Sequence, residues 1–208
     1  MTTTTWLSLL TLCALGAMSP GPSLAVIIQI TAKSNRQHGI VAAIAHGLGI
    51  ACYALLAALG LAVVITQNPA VFSGLKILGA GFLLYLGFKA LGLLPNQTPP
   101  APHNQQASYH TETLSRSFRV GFSIAILNPK VALFFLALFS QFVSEQADLS
   151  EKLMMAGTAA TIDAAWYCLV ASAVSRPQVM AMFTGYSDKL EKLFGVLIIC
   201  LAVLVIIN

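Results

Sequence analysis

The chain of 208 residues is 57% hydrophobic and only 9% charged, with a mean hydropathy of +0.81. Charged residues make up about a quarter of a soluble domain, so this composition excludes a soluble protein and predicts an all-α integral membrane protein. The formal net charge is +4. The basic residues fall in short loops, which indicates membrane topology and no binding of nucleic acid.

Six apolar segments predict six transmembrane helices, because each is about as long as the hydrocarbon core of a bilayer requires. The segments are residues 5–31, 39–66, 71–94, 117–143, 151–175 and 190–207. No Lys or Arg precedes the first segment, whereas a cleavable signal peptide usually begins with positive charge. We therefore interpret the first segment as a retained span.

A polar stretch at 95–115 divides the chain into two halves. It contains four prolines among Asn, Gln, Thr and His residues, a composition typical of a flexible linker. The predicted organisation is a first three-helix repeat at 1–94, a cytoplasmic linker at 95–115 and a second three-helix repeat at 116–208.

The basic residues are distributed unevenly between the two sides of the predicted bundle. Eight lie in or beside the loops that follow segments one, three and five: Lys33, Arg36, Lys89, Arg116, Arg119, Arg176, Lys189 and Lys192. The opposite side has only Lys76 and Lys152. Because loops rich in Lys and Arg stay in the cytoplasm, we expect a cytoplasmic linker and two extracytoplasmic termini.

Two of the predicted spans are interrupted by proline. The first contains Pro20-Gly21-Pro22, followed by Ser23, and the fourth contains Asn128-Pro129-Lys130. The first span enters the membrane from outside and the fourth from inside, so the halves are predicted to be inverted repeats that each open with a broken helix. Matching breaks of this kind indicate the central site of a transporter. We expect these residues to approach each other and to bind the substrate.

Asp163 lies near the centre of the fifth segment. The other six acidic residues fall in or beside loops: Glu112, Glu145, Asp148, Glu151, Asp188 and Glu191. A carboxylate at the bilayer midplane costs about 2.5–3.5 kcal/mol on the insertion scale. Asp163 is therefore either a site for a substrate amine and for proton coupling, or a neutral acid with a structural hydrogen bond.

Four more polar residues are candidates within the spans. His46 lies in the second segment, which corresponds to the fifth under the inverted repeat; it either exchanges protons near neutral pH or is a hydrogen-bonding residue of helix packing. Lys130 either binds a carboxylate or extends towards the cytoplasmic interface. Gln29 and Gln141 are further candidates for lining a cavity.

Small residues recur in the second and fifth segments. They are Ala45, Gly47, Gly49 and Ala51 in the second, and Ala156, Ala160 and Ala164 in the fifth. Such residues let helices pack backbone to backbone in lipid. We interpret both sets as packing surfaces.

The motifs of enzymes and of ATP-driven pumps do not occur in the sequence. There is no nucleophile elbow, phosphate-binding loop, HExxH or pair of catalytic carboxylates. The four cysteines, at positions 13, 52, 168 and 200, form no CxxC pair, so neither a redox pair nor a zinc site is indicated. We expect no catalytic residue, no metal site and no cofactor.

Five segments together resemble the LysE/RhtB family of amino-acid exporters. They are MSPGP at 18–22, LLAALGL at 55–61, KILGAGFLLYLG at 76–87, LNPKVALFF at 127–135 and QFV at 141–143. The resemblance extends over nearly the whole chain in the same order. It implies a bacterial inner-membrane exporter of amino acids or their derivatives, dimeric and driven by the proton-motive force.

Two positions depart from that family pattern. Many relatives have Asp directly after the Pro-Gly-Pro, where this chain has Ser23, and many have an acid near the position of Ile50. Without these acids, a dibasic substrate such as lysine is less expected than a neutral amino acid. The alternatives are a metal-ion exporter of the same superfamily, an intramembrane enzyme that uses Asp163 and His46, and a packing subunit of a larger complex.

Overall fold

The computed structural model describes residues 2–19, 21–94, 113–143, 147–174, 189, 191–200, 202–203 and 206–207. All regular secondary structure in these residues is helical. Seven helices have defined bounds: α1 Thr3–Met18, α2 Pro22–Lys33, α3 Arg36–Gln67, α4 Pro69–Ala90, α5 Leu114–Ile126, α6 Pro129–Phe142 and α7 Leu149–Val174. Residues 191–200 form an eighth helical stretch.

The first and fourth predicted spans are each built from two helices. The axis bends by 58° between α1 and α2, and by 54° between α5 and α6. Within the described residues, three helices are long and apolar enough to cross a membrane, and counting each bent pair as one span gives up to five. Proline begins both α2 and α6, because its fixed backbone angle suits the first turn of a helix, where an N–H has no partner.

The fourth span begins earlier in the chain than predicted. Helix α5 begins at Leu114 and is capped by Thr113, so the end of the predicted linker is already helical; the rest of the linker lies outside the described residues. The sixth span is described as helical at 191–200, 202–203 and 206–207. The arrangement as two inverted repeats remains a prediction.

Helix α3 is the centre of the bundle and contacts α2, α4, α5, α6 and α7. Its glycines allow close approach: a Cβ atom on Gly47 would lie 2.7 Å from Ala164 Cβ in α7, and one on Gly49 would lie 2.6 Å from Ala125 Cβ in α5. A Cβ atom does not approach other atoms this closely in proteins, so a side chain at either position would push the helices apart. The predicted packing role of small residues is therefore confirmed at these two positions.

Two apolar clusters divide the interior along the helix axes. In α3, Ala42 and Ala43 belong to one cluster, whereas Ile50 and Ala54 belong to the other. Helix α7 shows the same division, with Ala159 in the second cluster and Ala171 in the first. The region between the clusters contains the buried polar side chains of both helices.

Candidate functional site

The two helix breaks are joined by hydrogen bonds. Asn128 Nδ2 donates to Ser23 Oγ at 3.1 Å, and Lys130 Nζ donates to Ser19 Oγ at 2.6 Å. The serines lie on either side of the first break, and their partners lie at the second. This contact confirms the expectation that the breaks approach each other.

The backbone groups freed at the second break are satisfied within the protein. Asn128 Oδ1 accepts from the Lys130 N–H at 3.0 Å and so caps α6. The Tyr53 hydroxyl donates to the Ile126 carbonyl at 2.5 Å, which replaces the helical bond from the Lys130 N–H, because that N–H bonds to Asn128 instead. A broken helix inside a membrane requires such partners, because lipid offers none.

A buried hydrogen bond joins His46 and Asp163 across the interface between α3 and α7. His46 Nδ1 is 2.6 Å from Asp163 Oδ2, and the two side chains are only 1% and 8% exposed. The rings of His46 and Tyr167 pack edge to face, with 4.8 Å between their centroids. His46 Nε2 is buried and has no hydrogen-bond partner among the described residues. This nitrogen is available to a proton, a water molecule or a ligand.

The two breaks and the His46–Asp163 pair line one cavity of about 50 Å³. Its polar lining comprises Ser19, Ser23, His46, Asn128, Lys130, Asp163 and Tyr167. Its apolar lining includes Cys13, Gly16, Ile50, Phe134, Phe135 and Phe194. One water occupies about 10–15 Å³ by this measure, so the cavity has room for a few waters. Pockets that bind small-molecule ligands are larger than this cavity, at about 300–1,000 Å³.

Lys130 is directed into the cavity. Its ammonium group donates to Ser19 and lies 5.1 Å from the centroid of the Phe194 ring. Cations are attracted to the face of an aromatic ring at this distance. The geometry thus differs from the alternative in which Lys130 extends towards the interface.

The structure separates the predicted site residues into two groups. Gly21, Pro22, Ser23, Asn128, Lys130, Asp163 and His46 line the cavity. Pro129 is exposed and is not part of the lining described, so its observed contribution is to begin α6. Gln29 is also exposed, because it falls on the outer face of α2. Pro20 lies outside the described residues.

Several lining residues were not among the predicted site residues. Ser19 precedes the first break and accepts a hydrogen bond from Lys130. The two residues are far apart in the sequence, so no local pattern predicts this contact. Tyr167 follows Asp163 by four residues, a spacing that places both on one face of a helix and that could have identified it. Phe134 and Gly16 meet only because α1 and α6 are adjacent.

Two broken helices whose breaks meet at a cavity lined by both polar and apolar side chains, inside a bundle of apolar helices, are the arrangement of a membrane transporter. The chain belongs to the LysE type translocator family, whose sequence model matches residues 14–208. This family consists of transporters and not enzymes. The resemblance inferred from the sequence segments is confirmed.

Individual relatives are membrane proteins from bacteria. An uncharacterised membrane protein of Pseudomonas aeruginosa is 36% identical over 128 residues, which cover 60% of this chain and 57% of the relative. An uncharacterised membrane protein of Escherichia coli is 27% identical over 183 residues, covering 86% and 79%. The threonine efflux protein of Escherichia coli is 24% identical over 181 residues, covering 86% of each chain. No solved structure matches the chain.

Proposed function

We propose that this protein exports small neutral amino acids or their derivatives from the cytoplasm in exchange for protons. The observation that carries this proposal is the presence of one ammonium group, Lys130, and one carboxyl group, Asp163, in a single cavity between two helix breaks. An amino-acid zwitterion presents the complementary pair of charges. The relationship to a threonine efflux protein supports this substrate class.

The substrate carboxylate binds at the helix breaks in this proposal. The Lys130 ammonium group offers a charge-assisted hydrogen bond. The first turn of α2 starts at Gly21, which has no side chain to cap it, so backbone N–H groups there are open to an anion. The Lys130 ammonium lies near this turn, since a Cβ atom on Gly21 would be 3.5 Å from Lys130 Nζ.

The substrate ammonium group binds at Asp163 and competes there with His46. In this proposal His46 hydrogen-bonds Asp163 through Nδ1, and the buried Nε2 accepts the transported proton. Burial in apolar surroundings favours the uncharged form of a carboxyl, whereas a nearby ammonium group favours the ionised form. The pair therefore holds a proton or a substrate ammonium, and alternation between the two couples export to proton entry.

The substrate side chain occupies the apolar part of the cavity. Gly16 and Phe134 are in close contact, since a Cβ atom on Gly16 would lie 2.7 Å from Phe134 Cζ. Cys13, Ile50 and Phe135 complete an uncharged surface. This surface accepts a short neutral side chain and disfavours a second positive charge, in agreement with Ser23 and Ile50 at positions where many relatives have acids.

The cavity must widen before it admits an amino acid, because about 50 Å³ holds only a few waters. The two helix breaks provide hinges, since neither α1 and α2 nor α5 and α6 share a continuous hydrogen-bond ladder. Opening first towards one apolar cluster and then towards the other gives alternating access. The same proposal includes an inner-membrane location, two extracytoplasmic termini and a homodimer.

The test is counterflow in proteoliposomes that contain the purified protein and a panel of labelled amino acids. We expect exchange of threonine-sized neutral amino acids, little exchange of lysine, and acceleration of net transport by a pH gradient. Liposomes without protein are the control for leakage. Absence of exchange for every amino acid in the panel would contradict the proposal. Net transport that is not accelerated by the pH gradient would contradict its proton-coupling part.

A further inference from the structure

A second cavity lies between α2 and α5, away from the transport site. Its volume is about 530 Å³, and it is open at the surface of the helix bundle. Val26, Val120, Ile124 and Leu127 form its apolar wall, and Arg116 and Arg119 lie at one end. The described residues that line it include no acidic side chain.

The two arginines lie on the face of α5 that is turned away from the bundle. Ser117, Gly121 and Ala125 form the buried face of this helix, where a Cβ atom on Gly121 would overlap the Ala42 backbone of α3. Both arginines are exposed. Because residues three and four apart share one face of a helix, the arginines and the apolar wall form one continuous stripe.

The positive charge is placed where the helix itself does not favour it. Arg116 is in the first turn of α5, which contains no acidic residue, and the N-terminus of a helix already carries partial positive charge. The neighbouring Arg119 adds a like charge three residues away, which is unfavourable on a helix surface. An anion bound at this end would relieve both repulsions.

The position of the groove indicates what the anion is attached to. Helix α5 begins at Leu114, close to the start of the predicted fourth span at 117–143, so we expect the arginines at headgroup depth and the apolar wall facing the hydrocarbon. A phosphate beside arginines, followed by an acyl chain along valine, isoleucine and leucine, matches both parts. A second copy docked through the same face would bring two arginine pairs together, which charge repulsion disfavours.

We propose that the groove between α2 and α5 is a binding site for an anionic phospholipid, with the phosphate at Arg116 and Arg119 and an acyl chain along Val120 and Ile124. The site belongs to the leaflet on the basic side of the protein. It is independent of the transported substrate, because none of its residues lines the transport cavity. A bound lipid at this place spans the contact between the two broken helices.

Native mass spectrometry of the purified protein in detergent, titrated with phosphatidylglycerol or phosphatidylcholine, tests this site. Each arginine near a membrane surface contributes about 1 kcal/mol to the binding of anionic lipid, which corresponds to about fivefold in affinity. We expect the Arg116→Gln and Arg119→Gln double variant to bind phosphatidylglycerol about 30-fold more weakly. Binding of phosphatidylcholine should not change.

Two further variants separate the site from general charge and from free phosphate. The Lys89→Gln and Lys152→Gln double variant removes the same number of charges outside the groove and should keep the affinity for phosphatidylglycerol. The Ile124→Trp variant fills the apolar wall but keeps both arginines, so in the same native mass spectrometry it should weaken phosphatidylglycerol binding and leave binding of inorganic phosphate unchanged. The proposal is overturned if the arginine variant keeps its affinity, if the lysine variant loses as much, or if Ile124→Trp has no effect on the lipid.

Discussion

His46 Nδ1 lies 2.6 Å from Asp163 Oδ2 across the interface of α3 and α7. The residues that follow them, Gly47 and Ala164, form a close contact between these two helices. The small side chains bring the backbones together, and the adjacent polar side chains are thereby held at hydrogen-bond distance. A larger residue at position 47 would separate the helices and lengthen the bond.

Replacement of Asp163 by Asn is the sharpest test of the proposed coupling site. Asn keeps the shape and a hydrogen bond to His46 but carries no negative charge. We expect export by the Asp163→Asn variant to fall to background in proteoliposomes, while its size-exclusion profile in detergent stays unchanged. The control variant Glu151→Gln, which changes an acid in the first turn of α7, should transport normally. Normal export by Asp163→Asn would return this residue to a purely structural role.

His46 is expected to affect coupling more than exchange. Gln at this position still donates a hydrogen bond to Asp163 but cannot carry a proton. For His46→Gln we expect counterflow without a gradient to persist and stimulation by a pH gradient to disappear. The two assays on the same liposomes distinguish this outcome from misfolding, which would remove both activities. Retention of full stimulation by the gradient would argue against a proton on His46.

Lys130 is expected to act on substrate affinity through the carboxylate. A hydrogen bond to a charged group contributes about 1.5–3 kcal/mol, so Lys130→Gln should raise KM by about 10- to 100-fold. The exposed Lys33→Gln variant is the matched control and should leave KM unchanged. Methyl esters, which lack the carboxylate, should compete poorly in the natural protein. Equal competition by the ester and the free amino acid would refute this assignment.

The size of the transported side chain is expected to depend on the contact of Gly16 with Phe134. Shortening the ring by Phe134→Leu should extend export to longer aliphatic amino acids. The Gly16→Ala variant should do the reverse, since its Cβ would approach Phe134 Cζ to 2.7 Å and push the ring into the cavity. The measurement is the ratio of kcat/KM for leucine to that for threonine. An unchanged ratio in both variants would place the side chain elsewhere.

The orientation of the chain can be tested separately from transport. Reporter fusions at both ends and after residue 105 should show extracytoplasmic termini and a cytoplasmic linker, because the basic residues lie on the linker side. A cytoplasmic C-terminus would contradict this topology and the inverted-repeat prediction that depends on it.

Composition and local sequence were sufficient for much of the architecture. Apolar segment length predicted the helices, because a bilayer core demands a nearly fixed number of apolar residues. Proline predicted both helix breaks, since it removes a backbone donor and clashes with the preceding turn. Asp163 stood out by elimination, because a carboxyl group in an apolar span is costly without a partner.

The partners of these residues were decided by the tertiary structure. Asp163 and His46 are 117 positions apart, and Ser19 and Lys130 are 111 apart, so no local periodicity relates them. Helix periodicity gives the face of a residue but not the neighbour of that face. The direction of Lys130 and the exposure of Gln29 and Pro129 followed from the packing of α1, α2 and α6, because only close contact between distant helices creates a cavity and excludes a side chain from it.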